Sequence, residues 1–366
     1  MVGHKLVEVL VERGATAEWD VVVFCEEPRP AYDRVGLSSW FAGTTAEELS
    51  LVAPGFFDAA GLELHLGDPV ASIDRQAGRV VSRRGRAVDY DALVLATGSY
   101  PFVPPVPGKD LPGCHVYRTL DDLESLRADA AGRRVGAVVG GGLLGLEAAN
   151  ALRRLGLETH VVEFAPRLMP VQVDDGGGAA LRRRIEDLGV HVHTGMATSE
   201  VVAGPDGRAS ALRFAGDGAD DLAADVVVFS AGIRPRDDLA RAAGLDVGER
   251  GGVVVDEACR TPDPRIYAIG ECALAQGRTW GLVAPGYAMA RVVADRLLGG
   301  DAVFAGADLS TKLKLMGIDV ASFGDAFAAT PGAESIVFSD PVANVYKRLV
   351  VDAGGTRVLG GILVGD

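Results

Sequence analysis

Val135-Gly-Ala-Val-Val-Gly140-Gly-Gly142-Leu-Leu-Gly145-Leu-Glu147-Ala-Ala-Asn150 decides the fold of this chain. A strand of Val and Ala, Arg134 to Val139, runs into a glycine turn, and an apolar helix, Leu146 to Leu155, follows at once. In that context Gly140, Gly142 and Gly145 satisfy GxGxxG for a physical reason. Gly140 permits the tight turn, Gly142 lets the backbone approach a pyrophosphate, and Gly145 lets helix and strand pack closely. The first amides of the helix, around Leu143 and Leu144, then face the phosphates with the positive end of the helix dipole behind them. The next strand, Thr159 to Phe164, carries Glu163, 18 residues beyond Gly145. A carboxylate there accepts both ribose hydroxyls and repels a 2′-phosphate, so NADH is expected over NADPH. Arg167, four residues on, still leaves room for NADPH. Glu147 falls inside the helix, where an unpaired charge is costly, so a polar partner is expected for it. Helical pattern alone leaves open a surface glutamate or a residue beside the nicotinamide.

Upstream, Leu6, Val7, Leu10 and Val11 recur at helical spacing, and Asp20 to Glu26 reads as a buried strand of a parallel sheet. Arg79 to Ser82 and Ala87 to Tyr90 read as paired strands, and Leu93-Val-Leu-Ala96-Thr97-Gly98 as a short buried strand ending in a turn. A Pro-rich stretch, Pro101 to Pro107, closes that part. Downstream, Ala224 to Ser230 ends in Ala231-Gly232 as the earlier strand ends in Thr97-Gly98, so the chain reads as internally duplicated. Arg265 to Gly270 is one more strand ending in glycine. Beyond about Gly300 short strands such as Tyr346 to Asp352 announce a smaller α+β domain. The final residues, Leu359 to Asp366, stop after an apolar strand without a closing helix, as a cut chain would.

Composition narrows the function. At 366 residues two or three domains are expected, and 48 glycines imply many tight turns. A net charge of −14 with no Lys/Arg run excludes a nucleic-acid partner. Val135 to Leu152 nears the length of a membrane span, but five glycines and Glu147 interrupt it. The acidic N-terminus is unlike a secretory signal. Cys25, Cys114, Cys259 and Cys272 form no close pair, which argues against a disulfide scaffold, an iron-sulfur cluster or a zinc site and for a reducing cytoplasm. Cys25 and Cys272 read as small apolar fillers. His191 and His193 alternate on a strand with Val190 and Val192; a metal site would need two more convergent ligands, and none is visible at a recognisable spacing, so no metal is expected. Asp217, Asp220, Asp221 and Asp225 read as a solvated turn.

Five stretches together resemble the two-dinucleotide flavoprotein reductases of the pyridine nucleotide-disulfide oxidoreductase superfamily. They are Phe24-Cys-Glu-Glu-Pro-Arg-Pro-Ala-Tyr-Asp-Arg34, Gly140 to Glu147, Gly232-Ile-Arg-Pro-Arg236, Ala268-Ile-Gly-Glu-Cys272 and Gly281-Leu-Val-Ala-Pro-Gly-Tyr287. Within the superfamily the chain looks like the N-terminal part of the large subunits of NADH-dependent assimilatory nitrite reductases. The resemblance implies an α/β chain with two Rossmann-like, glutathione-reductase-like dinucleotide-binding domains and a small C-terminal α+β domain. It further implies a discontinuous FAD domain over 1–113 and 237–298, an NADH domain over 114–236 and a C-terminal interface domain over 299–366. By resemblance Glu26 holds the FAD ribose, Arg34 and Ala96-Thr97-Gly98 line the flavin nucleotide, and Gly270-Glu271 meet the ribityl and pyrophosphate, with Glu271 where relatives usually have Asp. Ala284 and Pro285 start a helix whose positive end points at the flavin pyrimidine, and Gly232 lies in the nucleotide-binding set. Met1-Val2-Gly3-His4 matches the end of the family's first GxGxxG, the strand and first two glycines before Gly3 being absent.

The implied chemistry is hydride transfer from NADH to FAD, which needs stacking and exclusion of water but no protein acid or base. Electrons would then pass to an iron-sulfur and siroheme nitrite-reducing centre that the family carries downstream. Leu37-Ser38-Ser39-Trp40 stands where thiol-dependent relatives carry a redox cysteine, which disfavours disulfide or peroxide reduction. Two other readings stay open: a free-standing reductase of rubredoxin, a ferredoxin or dioxygen, and a flavin-free NADH-binding module. A homodimer is among the assemblies compatible with all three.

Overall fold

The structure, a computed structural model, describes residues 1–216 and 220–365, so Asp217 and Asp366 lie outside the described residues. It divides into two compact units. One comprises Met1–Gly36, Thr45–Tyr100 and Ile233–Ala307, the other Leu37–Thr44, Pro101–Gly232 and Asp308–Asp366.

The second unit is built on a parallel sheet in the order Val190–Thr194, Glu158–Glu163, Val135–Val139, Val226–Phe229, Cys114–Val116. Alternate side chains of the central strand serve its two faces. Gly136 and Val138 face the helix Leu143–Arg154, which buries Leu146, Ala148, Ala149, Ala151 and Leu152. Ala137 and Val139 face a core with Val162, Leu212 and Phe229, roofed by an antiparallel meander of Thr198–Ala203, Ala209–Phe214 and Leu222–Ala223. Each fully buried leucine here stabilises by about 1.5–3 kcal/mol. The helix begins at Leu143, three residues before the expected Leu146, because Gly142 is extended and already serves as the N-cap.

The residues after 307 add an antiparallel sheet in the order Thr311–Leu315, Ile318–Gly324, Val358–Val364, Val345–Val351, Glu334–Asp340. These described residues contribute strands alone, and the helix that accompanies the sheet is Asp175–Asp187. Gly176 lets the two meet, since a Cβ there would come within 2.3 Å of the Tyr346 ring. Asp174 fastens them. Its carboxylate caps the helix at the Gly177 amide (3.0 Å) and accepts from Tyr346 Oη (2.7 Å) and Arg348 Nη1 (2.9 Å).

In the first unit, helix Val2–Glu12 packs on helix Val283–Leu297 at close range. A Cβ on Gly286 would fall 2.5 Å from Val2 Cγ2. Two parallel strand pairs accompany them, Val21–Phe24 with Leu62–His65 and Leu93–Leu95 with Ile266–Ala268. Val21–Phe24 was expected to be buried and is only half-buried along its length. Among the described residues it has a strand neighbour on one side only. Arg79–Ser82 and Ala87–Asp89 pair as expected, joined by Val70–Asp74, which its thin apolar pattern concealed. Asp225 corrects the reading of a solvated acidic turn: it is half-buried, and its carboxylate accepts from the Arg134 and Val135 amides (2.9 Å each), holding the start of the central strand. Among the described residues no helix is long and apolar enough to cross a membrane.

Burial works against charge on Asp174, but the Gly177 amide, the Tyr346 hydroxyl and Arg348 outweigh it and hold its carboxyl below the usual range. That contribution is complete above the unfolded aspartate value of about 3.9 and is lost as pH falls through the depressed folded value. Asp174→Asn is expected to cost about 1–2 kcal/mol at pH 7 and less below pH 4. Urea denaturation at both pH values checks this; an equal loss at both would contradict it.

Candidate nucleotide-binding sites

The glycine turn of the second unit combines tightness with open space. Gly140 has φ 123°, and a Cβ there would lie 2.2 Å from the Ser230 carbonyl oxygen. A Cβ on Gly145 would lie 1.9 Å from the Gly140 oxygen, so helix and strand touch backbone to backbone. Gly142 has nothing within 4 Å of its Cβ position: the space above it is open to a ligand. At the end of its strand Glu163 turns its carboxylate into this turn, accepting from the Gly141 amide (2.5 Å) and the Ala165 amide (2.7 Å). Arg167 is engaged with the Val173 carbonyl (2.9 Å) and Asp175 (2.7 Å), not held out towards a phosphate. Gly232, at φ 103°, accepts at its carbonyl from the Phe102 amide (2.9 Å).

Among the described residues, the α-helices of eleven residues or more start in two ways. Leu120–Ala130 opens with a capping box of Thr119 and Asp122, and Asp175–Asp187 is capped by Asp174. Val2–Glu12, Leu143–Arg154 and Val283–Leu297 have no side-chain cap and no acidic residue in the first turn, among the described residues. Their amides and positive dipole ends are left for other acceptors. Gly3, Leu143 with Leu144, and Ala284 with Pro285 lie in these three first turns.

Glu147 turns out to be half-buried rather than a surface residue. The segment Leu37–Ala42 lies over its helix, and Phe41 stacks on Tyr117 with ring centroids 6.3 Å apart. Burial pushes the Glu147 carboxyl up to about 7 against a smaller opposing pull from the Ser38 hydroxyl. Ser38 Oγ and Tyr117 Oη are buried, and their contacts with each other and of Ser38 with the carboxyl fall short of well-formed hydrogen bonds. Two polar atoms and a carboxyl poised near neutrality thus face one small region.

In the first unit, Glu26, Thr97 and Gly98 are joined by one arginine that spacing did not single out. Arg236 donates to the Glu26 carboxylate and, through its amide, to the Gly98 carbonyl (2.9 Å); its own carbonyl accepts from Thr97 Oγ1 (2.6 Å). The turn after Ala96 is held from this side, and on the other Gly3 sits with its Cβ position 3.2 Å from Ala96 Cβ. Ser99 Oγ donates to Glu271 (2.7 Å), and Gly270 takes φ 76°. Arg34 donates to Glu27, which also accepts from Tyr32 Oη (2.7 Å), so Glu27 sets the arginine's direction. Both overlooked residues, Arg236 and Glu27, stand inside two of the five characteristic stretches, the available signal for them. Cys272, fully buried, bonds the Leu95 and Ile269 carbonyls as a filler would.

Residues 8–292 match the pyridine nucleotide-disulphide oxidoreductase family, and residues 310–366 match the rubredoxin NAD+ reductase C-terminal domain. The chain is 58% identical over its full length to the nitrite reductase [NAD(P)H] large subunit of Klebsiella oxytoca, covering 38% of it. It is 53% identical, again over its full length, to the nitrite reductase (NADH) large subunit of Escherichia coli (strain K12), covering 43% of that protein. It therefore spans about two fifths of the length of these curated relatives. The structure is similar to the ferredoxin reductase for the CYP199A2 system from Rhodopseudomonas palustris, with TM-score 0.87 and 29% identity over 100% of this chain and 89% of that one.

Because the folded state binds the Glu147 proton more tightly than the unfolded chain, stability falls as pH rises from the ordinary glutamate value, about 4.3, to about 7, and stays lower above it. Glu147→Gln removes the titration. It is expected to stabilise by about 1–3 kcal/mol more at pH 8 than at pH 4.5. Thermal denaturation at both pH values reads this, and a gain independent of pH would show that the carboxyl is ordinary.

Proposed function

Because the chain belongs to the pyridine nucleotide-disulphide oxidoreductase family, we propose that it is an FAD-dependent NADH oxidoreductase module, the electron-input part of a nitrite reductase large subunit. The observation that carries this reading is the turn at Gly140–Gly145, with open space over Gly142, an uncapped helix behind it and the Glu163 carboxylate at its rim. It supports a dinucleotide whose pyrophosphate meets the amides of Leu143 and Leu144 and whose ribose hydroxyls meet Glu163. Engagement of Arg167 with Asp175 and Val173 supports NADH over NADPH.

FAD, when bound, supplies a two-electron acceptor that can give its electrons up singly. The residues present fit it: Gly3 in an uncapped first turn, Glu26 and Arg34 for the adenosine side, Ala96-Thr97-Gly98 and Gly270-Glu271 for the chain between, and Ala284-Pro285 at an uncapped helix start. Arg236 orders this set by holding Glu26 and the Thr97-Gly98 turn. Glu147, Ser38 and Tyr117 line the nicotinamide side, and a Glu147 that is neutral below about 7 spares that region a fixed charge. No protein acid or base is needed for hydride transfer; the side chains orient and exclude water. Ser38 and Ser39 offer no thiol, which supports onward transfer to a separate centre rather than disulfide chemistry. That centre is a downstream iron-sulfur and siroheme site, and the four free cysteines suit a reducing, cytoplasmic setting. A second reading, a reductase of a small carrier such as rubredoxin or a ferredoxin, is favoured by the match of residues 310–366.

A visible spectrum of the purified chain before and after anaerobic NADH tests the proposal. Oxidised-flavin bands that bleach with NADH are expected; a colourless chain that still binds NADH would leave only a nicotinamide-binding module. For the nucleotide preference, Glu163→Ser is expected to lower the NADH to NADPH ratio of kcat/KM at least roughly tenfold by removing the 2′-phosphate repulsion. An unchanged ratio would remove Glu163 from the ribose site.

A further inference from the structure

The parallel register of Glu158–Glu163 with Val190–Thr194 supplies the convergence that the sequence did not show. His160 pairs with His191 and Val162 with His193, and partners in register share a face. Glu158, His160, His191 and His193 therefore stand together on one side of the sheet. The His160 and His191 rings stack with centroids 4.7 Å apart, and the Glu158 Oε1 lies 3.5 Å from His160 Nε2 and 3.8 Å from His191 Nε2. These separations are at or beyond the limit of a hydrogen bond. They suit donors around an ion, since atoms bonded at ~2.0–2.1 Å to a tetrahedral centre lie about 3.4 Å apart.

We propose that Glu158, His160 and His191 form a binding site for a divalent transition-metal ion of the zinc and cobalt class. The donor set, two imidazoles and one carboxylate, is what such borderline ions prefer, and three protein ligands leave a fourth position to water. One ligand atom from each of the three residues lies within 4.8 Å of the others. His160 is buried, 8% exposed, and its Nδ1 lies 3.0 Å from His193 Nε2. With its proton on Nδ1, His160 donates to His193 and turns the Nε2 lone pair to the ion, so His193 is a positioning residue. Glu158 and Glu163 end the same strand, about 17 Å apart at ~3.3 Å per residue. The metal would accordingly bridge two strands away from the nucleotide turn and take no part in hydride transfer.

Titration of the chelator-treated chain with Co2+, read by visible absorption and calorimetry, tests the site. One equivalent is expected, with d–d bands of nitrogen and oxygen ligation and no thiolate charge-transfer band. His191→Ala and His160→Gln should each weaken Co2+ binding at least roughly tenfold, and His193→Ala roughly tenfold with recovery in His193→Gln, whose side chain still accepts the Nδ1 proton. NADH affinity should not change in His191→Ala, an exposed position. Absence of Co2+ binding at millimolar concentration, thiolate bands, or affinity untouched by both His191→Ala and His160→Gln would overturn the proposal.

Discussion

Helix Leu143–Arg154 can lie against its strand only because position 145 has no Cβ. The added atom would sit 1.9 Å from the Gly140 oxygen, a backbone atom that cannot move without carrying the central strand with it. This one contact fixes the helix start, and with it the direction of the free amides around Leu143 and the open ground above Gly142. Much of the second unit follows from it: the helix covers one face of the sheet, and the meander completes the core on the other. Glycine at 140 serves the same end from the opposite side, pressed on the Ser230 carbonyl.

Electrostatics then divides the helices by task. Where a terminus only needs closing, the chain spends a side chain on it, as Thr119 and Asp174 do. The three termini matched by the nucleotide motifs carry neither a cap nor an acid among the described residues. An uncapped terminus forgoes roughly 1 kcal/mol of local stability, a cost that an anion bound at each of the three, as proposed above, would offset. Three carboxylates of the second unit are placed by backbone amides: Glu163 on Gly141 and Ala165, Asp225 on Arg134 and Val135, Asp174 on Gly177. Glu147 differs from these three. No amide reaches it among the described hydrogen bonds, and burial pushes its carboxyl up to about 7.

The glycine turn, the strand–helix–strand order around it and the carboxylate of Glu163 were legible in the chain because each depends on residues within one βαβ unit. Turn geometry is set by φ at Gly140 and by the missing Cβ at 145, and both are written in residue type alone. Two of the five family-like stretches likewise located Glu26 and Glu271, and the end of the strand at Leu95 located Thr97. Arg236 stands inside a third stretch, but its role appears only when the chain returns some 140 residues after Thr97 to meet it.

Tertiary structure decided the rest, because environment and register are properties of neighbours distant in sequence. Glu147 had two equal readings on its helix; the packing of Leu37–Ala42 over that helix makes it half-buried and pushes its carboxyl up to about 7. Asp225 belonged to an acidic run until the first residues of another strand were found on its oxygens. His191 and His193 read as ordinary strand residues because alternation along one strand cannot reveal what lies beside it. A shift of one residue in the pairing would have carried His160 and Glu158 to the opposite face, away from both. The sequence determined that a tight glycine turn joins strand and helix and which residues build it; the parallel register, set by burying Val161 and Val192 together, determined which side chains meet across the sheet.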